Sequence, residues 1–299
     1  MFTLSRIREL CSSVGIDDCA VTVPHLLDDD ARYLTQWLQK GYNGSMTYME
    51  QNLDKRTDPQ KLYPYCKSIL VCLLSYYKKD RQVKGAPYIS ISGLSRNDYH
   101  IVMKNRLNQL EQMIISECGE QISSAWLEPQ HVFCDSAPVF ERRLACEAGL
   151  GIIGKNHLFI HPLLGSYVHI GILMLPIDIY DDRSSKWVNF NPCAGCRKCI
   201  NNCPTGALRD DLFDARKCVS YLTIERKEPL DAKYNNLLEN RLYGCDNCQL
   251  VCPCNQSLKE TSCDDLKANA ELLAMTKDDW NNSSHRKKLK LLHRLAKKN

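Results

Sequence analysis

The sequence predicts an α+β fold in three parts: a mixed α/β domain over residues 1–182, a compact cysteine-rich module over 183–256, and short basic helices over 257–299. Three observations carry this. Helical and β-rich apolar patterns alternate up to about Tyr180, ten of the 17 cysteines fall between Cys193 and Cys263, and helical spacing returns only after Gln256. A length of 299 residues suits a large core plus an accessory unit, since single domains usually span ~100–200 residues.

Apolar positions recur at helical spacing from Leu4 to Val14 and from Ala31 to Lys40, and the GYNG turn, Gly41 to Gly44, stops the second helix. Lys67 to Tyr77 is rich in β-formers and suits a buried strand. Asp98 is placed to start a long helix from Tyr99 to about Ser116, with Ile101, Leu107, Leu110 and Ile114 on one stripe. His131 to Ile179 alternates strand, helix, glycine-rich turn and strand, through HVFCDSAP, VFERRLACEAGL, GIIGKNHLFIHPLLGS and YVHIGILMLPIDI. Asp181 to Asn191, with Ser184, Ser185 and Asn189, reads as a linker. LKANAELLAM and the basic segment from His285 are helical, and the apolar face of the latter needs a surface to pack on.

Composition excludes several classes. With 44% hydrophobic and 25% charged residues the chain is not of the disordered kind. No run approaches the ~20 apolar residues of a membrane span, and MFTLSRIREL lacks the apolar stretch of a secretory signal. A cytoplasmic monomer without a membrane partner is therefore expected. In a reducing compartment cysteines serve metals and cores, so the scattered Cys11, Cys19, Cys66, Cys72, Cys118, Cys134 and Cys146 are read as small buried residues. Net charge is only +4, but the terminal RKKLKLLHRLAKKN holds many basic residues and no acid, which makes the surplus local.

Cys193, Cys196, Cys199, Cys203 and Pro204 spell CxxCxxCxxxCP, the spacing of bacterial two-cluster ferredoxins, in which three close thiolates wrap one iron-sulfur cube and the fourth serves the other. Cys218 and the run Cys245, Cys248, Cys252, Pro253 supply the complement. Crossed ligation then gives Cys193, Cys196, Cys199 and Cys252 to a first 4Fe-4S cluster, and Cys203, Cys218, Cys245 and Cys248 to a second. Four-cysteine zinc sites are the competing use of CxxC pairs. Cys254 and Cys263 receive no role.

Asp135 follows the strand-like HVF, where a carboxyl held partly desolvated could carry a proton to a substrate oxygen; a solvated turn aspartate is the plainer reading of the spacing. The surroundings carry a resemblance. FCDSAPVFERRLACEAGLGIIGKNHLFIHPLLGS is similar to the epoxyqueuosine reductase family, and GYNGSMTYM, KRTDP, NDYH, CVSYLTIE and RLYGCDNCQLVCP match it in the same order over nearly the whole chain.

The resemblance implies a cobalamin-dependent oxidoreductase that converts epoxyqueuosine to queuosine at the wobble position of tRNA, the last step of queuosine biosynthesis. Electrons would come from an unidentified low-potential donor through two 4Fe-4S clusters. No DxHxxG cobalamin signature is present; the family holds the corrin against the α/β domain without a histidine ligand to cobalt. Carried over by position, Asp135 is the catalytic proton donor, and Arg56, Tyr99, Asp135, Lys155, Asn156, Ser166 and Asp246 face the corrin. Lys155 and Asn156 have a competing reading as turn residues, and Arg56 as a surface charge. A polyanionic substrate gives Arg286, Lys287, Lys288, Lys290 and Arg294 a use as phosphate contacts; a solvated helix end is the alternative.

The chain departs from the family pattern at His157, Arg96 and Cys254, and it stops where C-terminal helical repeats commonly begin, so a shortened tRNA-binding region is expected. Two further readings compete: a related corrinoid iron-sulfur reductase acting on a small molecule, as in reductive dehalogenases, and a pure electron carrier.

Overall fold

The computed structural model describes residues 2–119, 126, 131–183, 187, 190–210 and 212–292. Its centre is the strand Ser68–Ser75, SILVCLLS, buried at every position. A strand can be so only where both faces are covered. Leu70, Cys72 and Leu74 enter one apolar cluster, while Ile69, Val71 and Leu73 enter another on the opposite face.

Asp18–Thr22 and Val168–Leu175 flank this strand, and Val132–Phe133 adds the far edge. All three pairings are antiparallel. The alternation seen in the sequence is thus met by antiparallel ladders. Strand Asp18–Thr22 was not expected, because DCAVT is too short to show a period.

Helices Leu4–Ser13 and Tyr99–Cys118 cover one face, through Leu4, Ile7 and Leu10 and through Met103, Leu107, Leu110 and Ile114. Helix Glu141–Glu147 covers the other with Leu144 and Ala145, beside Tyr63 and Phe159. Asp98 caps the long helix, its carboxylate accepting from His100 N at 2.9 Å. Ile101 does not join the stripe expected of it and is 53% exposed. At ~100° per residue, a position six before Leu107 lies far round the helix, and Met103 takes the inward place. Six of the scattered cysteines are buried as expected, and Cys146 is half-buried.

Gly171 lets the long helix lie close on the sheet: a Cβ there would stand 2.7 Å from both Cγ and Sδ of Met103. Gly44, at φ +58°, similarly lets the chain approach the Tyr221 hydroxyl, which would lie 2.3 Å from a Cβ.

The cysteine module is fastened to this domain by backbone and side chains. Tyr88–Ile89 pairs in parallel with Arg241–Tyr243. Trp37 Nε1 donates to Phe213 O at 2.6 Å, and Ser45 N donates to Tyr221 Oη at 2.8 Å. The chain then returns to the first domain. Thr261 N donates to Tyr77 O at 2.8 Å, and Cys263 and Leu266 are buried in the main core. Helices Lys277–Asn282 and His285–Leu291 pack last, Leu291 and Leu292 lying against Trp280 and Ile89. That contact is the surface the basic helix needs. Among the described residues no helix is long and apolar enough to cross a membrane. The expected linker residues Ser184, Ser185 and Asn189, and the tail residue Arg294, lie outside the described residues.

Gly171→Val should overpack the helix-sheet contact and destabilise the protein by about 1–3 kcal/mol, read as a lower thermal midpoint. An unchanged midpoint would show that Met103 gives way at no cost.

Candidate active site between the sheet and the cysteine loops

At the end of Val132–Phe133 the chain turns sharply, and Asp135 takes φ +57°, a left-handed conformation that aspartate tolerates better than most side chains. Asp135 N donates to Glu141 Oε1 at 3.1 Å, fixing the turn. Burial lifts the Glu141 carboxyl to about 7.

The start of the long helix meets this turn. Tyr99 Oη donates to Asp135 Oδ2 at 2.5 Å, and His100 Nε2 reaches the same oxygen at 3.3 Å. His100 Nδ1 lies 2.6 Å from Asp98 Oδ1. Burial opposes charging of this imidazole, but hydrogen bonds to Asp135 and Asp98 outweigh it and carry His100 up to about 9. At neutral pH it is an imidazolium between two carboxylates. Burial, then the neighbouring Asp135 charge, pushes Tyr99 well above the ordinary tyrosine value, so it remains a neutral donor.

His169 stacks on Tyr99 at 3.9 Å and on Tyr76 at 4.3 Å. Burial holds it down to about 3, and its Nε2 has no hydrogen-bond partner among the described residues. The same column therefore contains one charged and one neutral histidine, separated by a tyrosine.

Asp135 is 64% exposed at its side chain, so the desolvation expected of it is not supplied by the protein's own packing. It opens into a cavity of about 720 Å³. Across that cavity stand Cys203, Cys218, Cys245 and Cys248. Cys193, Cys196, Cys199 and Cys252 line a second, small cavity of about 20 Å³, together with Cys254, which the sequence left without a role. Crossed ligation would draw one set of four from each cavity. Among the described residues no three Cys, His, Asp or Glu side chains converge on one metal ion. A larger cleft of about 1080 Å³ lies at the other end of the sheet, where Arg6 pairs with Glu117 and Lys67 with Asp178.

The remaining expected residues separate into three groups. Asn156 and Asp246 line the main cavity with Tyr99 and Asp135. Asn156 lines the small cavity as well; its Oδ1 accepts from Leu158 N at 3.2 Å, while Nδ2 is buried without a partner. Lys155 lines only the small cavity. Ser166 and Arg56 line neither. The Ser166 hydroxyl is engaged within the protein: it donates to Gln249 Oε1 at 3.0 Å and accepts from Asn255 Nδ2 at 2.9 Å. Arg56 sits on the short helix Leu53–Thr57, with Nη2 donating to Tyr48 O at 3.4 Å.

On the basic helix, Lys287 pairs with Glu271 at 2.7 Å and Lys288 lies over the Trp280 ring at 5.5 Å. Arg286 and Lys290 are exposed. Leu289 and Leu292 of the same segment line the main cavity.

Several functional groups were not foreseen. His100 stands beside Tyr99 in NDYH, but only the folded chain brings it to Asp135, 35 residues away in sequence. Lys78 is buried and donates through Nζ to Ile91 O at 2.9 Å and to Ser95 Oγ at 2.8 Å; burial lowers it to about 8. Arg241 lies over the Tyr88 ring at 5.1 Å, with Nη1 3.9 Å from Cys245 Sγ.

Comparison with known proteins converges on one family. Residues 192–255 match a 4Fe-4S double cluster binding domain, and residues 56–136 match epoxyqueuosine reductase QueG, DUF1730. An epoxyqueuosine reductase of Cyclobacterium marinum is 36% identical over 95% of this chain and 91% of its own length. Among solved structures, epoxyqueuosine reductase from Streptococcus thermophilus aligns with a TM-score of 0.81 at 23% identity, over 98% of this chain and 76% of that one. An epoxyqueuosine reductase with an epoxyqueuosine-modified tRNA-Tyr stem loop aligns at 0.74 and 26% identity, over 96% and 74%. The Bacillus subtilis enzyme, with an aspartate catalytic loop swung out of its active site, aligns at 0.76 and 26%, over 97% and 75%. The reductive dehalogenase NpRdhA shares the fold alone, with a TM-score of 0.50 at 14% identity over 86% of this chain and 32% of that one.

The His100 environment predicts a pH signature. Its pKa is raised on folding from 6.5 to about 9, so the stability it contributes is complete below about 6.5 and is lost as pH rises through about 9. The thermal midpoint should fall across that window, and His100→Gln should flatten the fall. Equal slopes in both proteins would remove the coupling.

Proposed function

The chain belongs to the epoxyqueuosine reductase family, and on that premise we propose that its main cavity is where epoxyqueuosine in the wobble position of tRNA is reduced to queuosine. One observation carries the assignment: a single cavity of about 720 Å³ joins the Asp135 proton network to a four-cysteine group. The dehalogenase likeness is one of fold, and nothing in the cavity favours a small-molecule substrate over the tRNA.

Two 4Fe-4S clusters and a cobalamin are the cofactors. Cys193, Cys196, Cys199 and Cys252 would hold the first cluster, and Cys203, Cys218, Cys245 and Cys248 the second. A corrinoid is larger than the drug-sized ligands that fill pockets of ~300–1,000 Å³, so a cavity of about 720 Å³ would take part of it. The residue that fits such a ligand is Asn156, which lines the cavity and whose buried Nδ2 has no hydrogen-bond partner among the described residues. Asn156 and Tyr99 are the residues that would hold the corrin; Asp246 lines the same wall with its carboxylate already engaged by Tyr88, Ile91 and Gln249. When bound, that group supplies reducing power at a metal centre beyond any side chain.

The residues of the chain manage the proton. An epoxide plus two electrons and two protons gives an alkene and water, so the ring oxygen must be protonated as it leaves. At rest Asp135 is a carboxylate facing the His100 imidazolium, with Tyr99 Oη and His100 Nε2 both on Oδ2. As the ring opens, the His100 proton passes through Asp135, the donor, to the leaving oxygen, while Asp98 holds the imidazolium in place. The second proton comes from solvent at the exposed side of Asp135. Phosphates of the anticodon arm are met by the basic helix. Arg286 and Lys290 are exposed for that purpose, and Leu289 and Leu292 bring the helix to the cavity.

Anaerobically reconstituted protein with cobalamin, a low-potential reductant and epoxyqueuosine-containing tRNA should yield queuosine; its absence would reject the assignment. Asp135→Asn keeps a residue that accepts the left-handed backbone. Turnover should drop by roughly 10²–10⁴, with iron content, corrin absorbance and tRNA affinity retained. Full turnover in that variant would end the role of Asp135 as donor. Arg286→Gln should weaken tRNA binding and reduce the log–log salt slope by about 1. An unaltered slope would take Arg286 out of the interface.

A further inference from the structure

The two four-cysteine groups differ in what they face. Cys203, Cys218, Cys245 and Cys248 look into the main cavity, where substrate and corrinoid would shut them off from other proteins. Cys193, Cys196 and Cys199 are half-buried on a loop whose Ala194 and Gly195 are exposed. A Cβ on Gly195 would meet nothing within 4 Å, so the tip of the loop is open. The first group is thus the end of the wire open to a partner.

The charge around that end is one-sided. Lys155 and Lys198 line the small cavity with the first group. Arg197 pairs with Asp210, and Lys155 acts electrostatically on that same carboxylate. Lys155, Arg197 and Lys198 are thus three cations gathered about this loop, with Asp210 the carboxylate that two of them meet. Leu250, 49% exposed, sits on the helix Asn247–Leu250, which packs on Lys198–Asn201. The face has an apolar point with cations around it.

We propose that this face, over Cys193, Cys196 and Cys199, is the docking site of an acidic single-electron carrier protein that reduces the first cluster. The inference rests on the reading of the eight cysteines as ligands of two clusters. Transient redox encounters use small interfaces, generally below ~1,200 Å². They gain speed from complementary charge rather than from area. A small cationic patch with a single exposed leucine has that character. In the encounter one electron leaves the reduced carrier and one enters the first cluster; no bond is made and no proton moves. An RNA backbone is the other polyanion that such a patch could meet. The observations favour the carrier because the patch surrounds the exposed cluster loop, while the exposed cations beside the main cavity lie on the helix His285–Leu291.

The test is stopped-flow reduction of the reconstituted holoenzyme by a reduced flavodoxin, an acidic one-electron carrier, over a range of ionic strength. Lys198→Glu should slow the second-order rate about tenfold at low salt, and Lys198→Gln should slow it less. The difference should vanish as salt shortens the Debye length. Reduction by dithionite, iron content, cluster EPR signals and tRNA affinity should stay as in the parent. An unchanged flavodoxin rate in both variants overturns the proposal. Weakened tRNA binding with normal flavodoxin kinetics gives the face to RNA and overturns it too. Equal slowing with dithionite, or loss of iron, means that Lys198 acts on the cluster and not on a partner. Failure of the underlying cluster reading is distinguishable, because the parent protein would then lack two cluster EPR signals.

Discussion

The joint between sheet domain and cysteine module turns on one buried carboxylate. Asp246 is 2% exposed, and a charge so placed is tolerable only when its lone pairs are occupied. Tyr88 Oη and Ile91 N each donate to Oδ2 at 2.7 Å, and Gln249 Nε2 donates to Oδ1 at 3.2 Å. Ile91 is held from its other side as well, its carbonyl accepting from Lys78 Nζ. A single residue, Ile91, is gripped through its N–H by a carboxylate from the module and through its carbonyl by a lysine from the sheet domain. The loop around it forms part of the cavity wall, so the position of the second cysteine group relative to Asp135 depends on this clamp.

Burial sorts the titratable groups about the cavity by what their neighbours permit. His100 finds two carboxylates and stays charged; His169 finds only aromatic rings and is neutral; His157, also on the cavity, is lowered to about 4 by burial and by the nearby Arg142. The histidine that stays charged is therefore the one on the Asp98, His100, Asp135 line.

Much of the site could be read from the sequence because its determinants are local. Cysteine spacings of two and three residues, an aspartate before a helix, and a long apolar strand all declare themselves within a few positions. What could not be read is set by distance along the chain. Glu111 and His131 pair inside the core, and Ser166 is consumed by Gln249 and Asn255, through contacts spanning 20 to 89 residues. Ile101 was misplaced for a geometric reason, since a six-residue offset looks periodic in a string but not on a helix. Lys78 passed unnoticed because a lysine at a strand end normally reaches solvent, and here the 90–95 loop closes over it.

The return of the chain after the cysteine loops bears on how the molecule is assembled. Cys263 and Leu266 complete the main core, and Arg106 of the long helix donates to Cys263 Sγ at 3.0 Å. During synthesis the first domain thus emerges with its sheet formed but with one flank bare until the whole ligand set has followed. A protein that had lost its C-terminal return, or in which the cysteine loops were displaced, would then be weakened in its sheet domain as well, because part of that domain's core is supplied from beyond the loops.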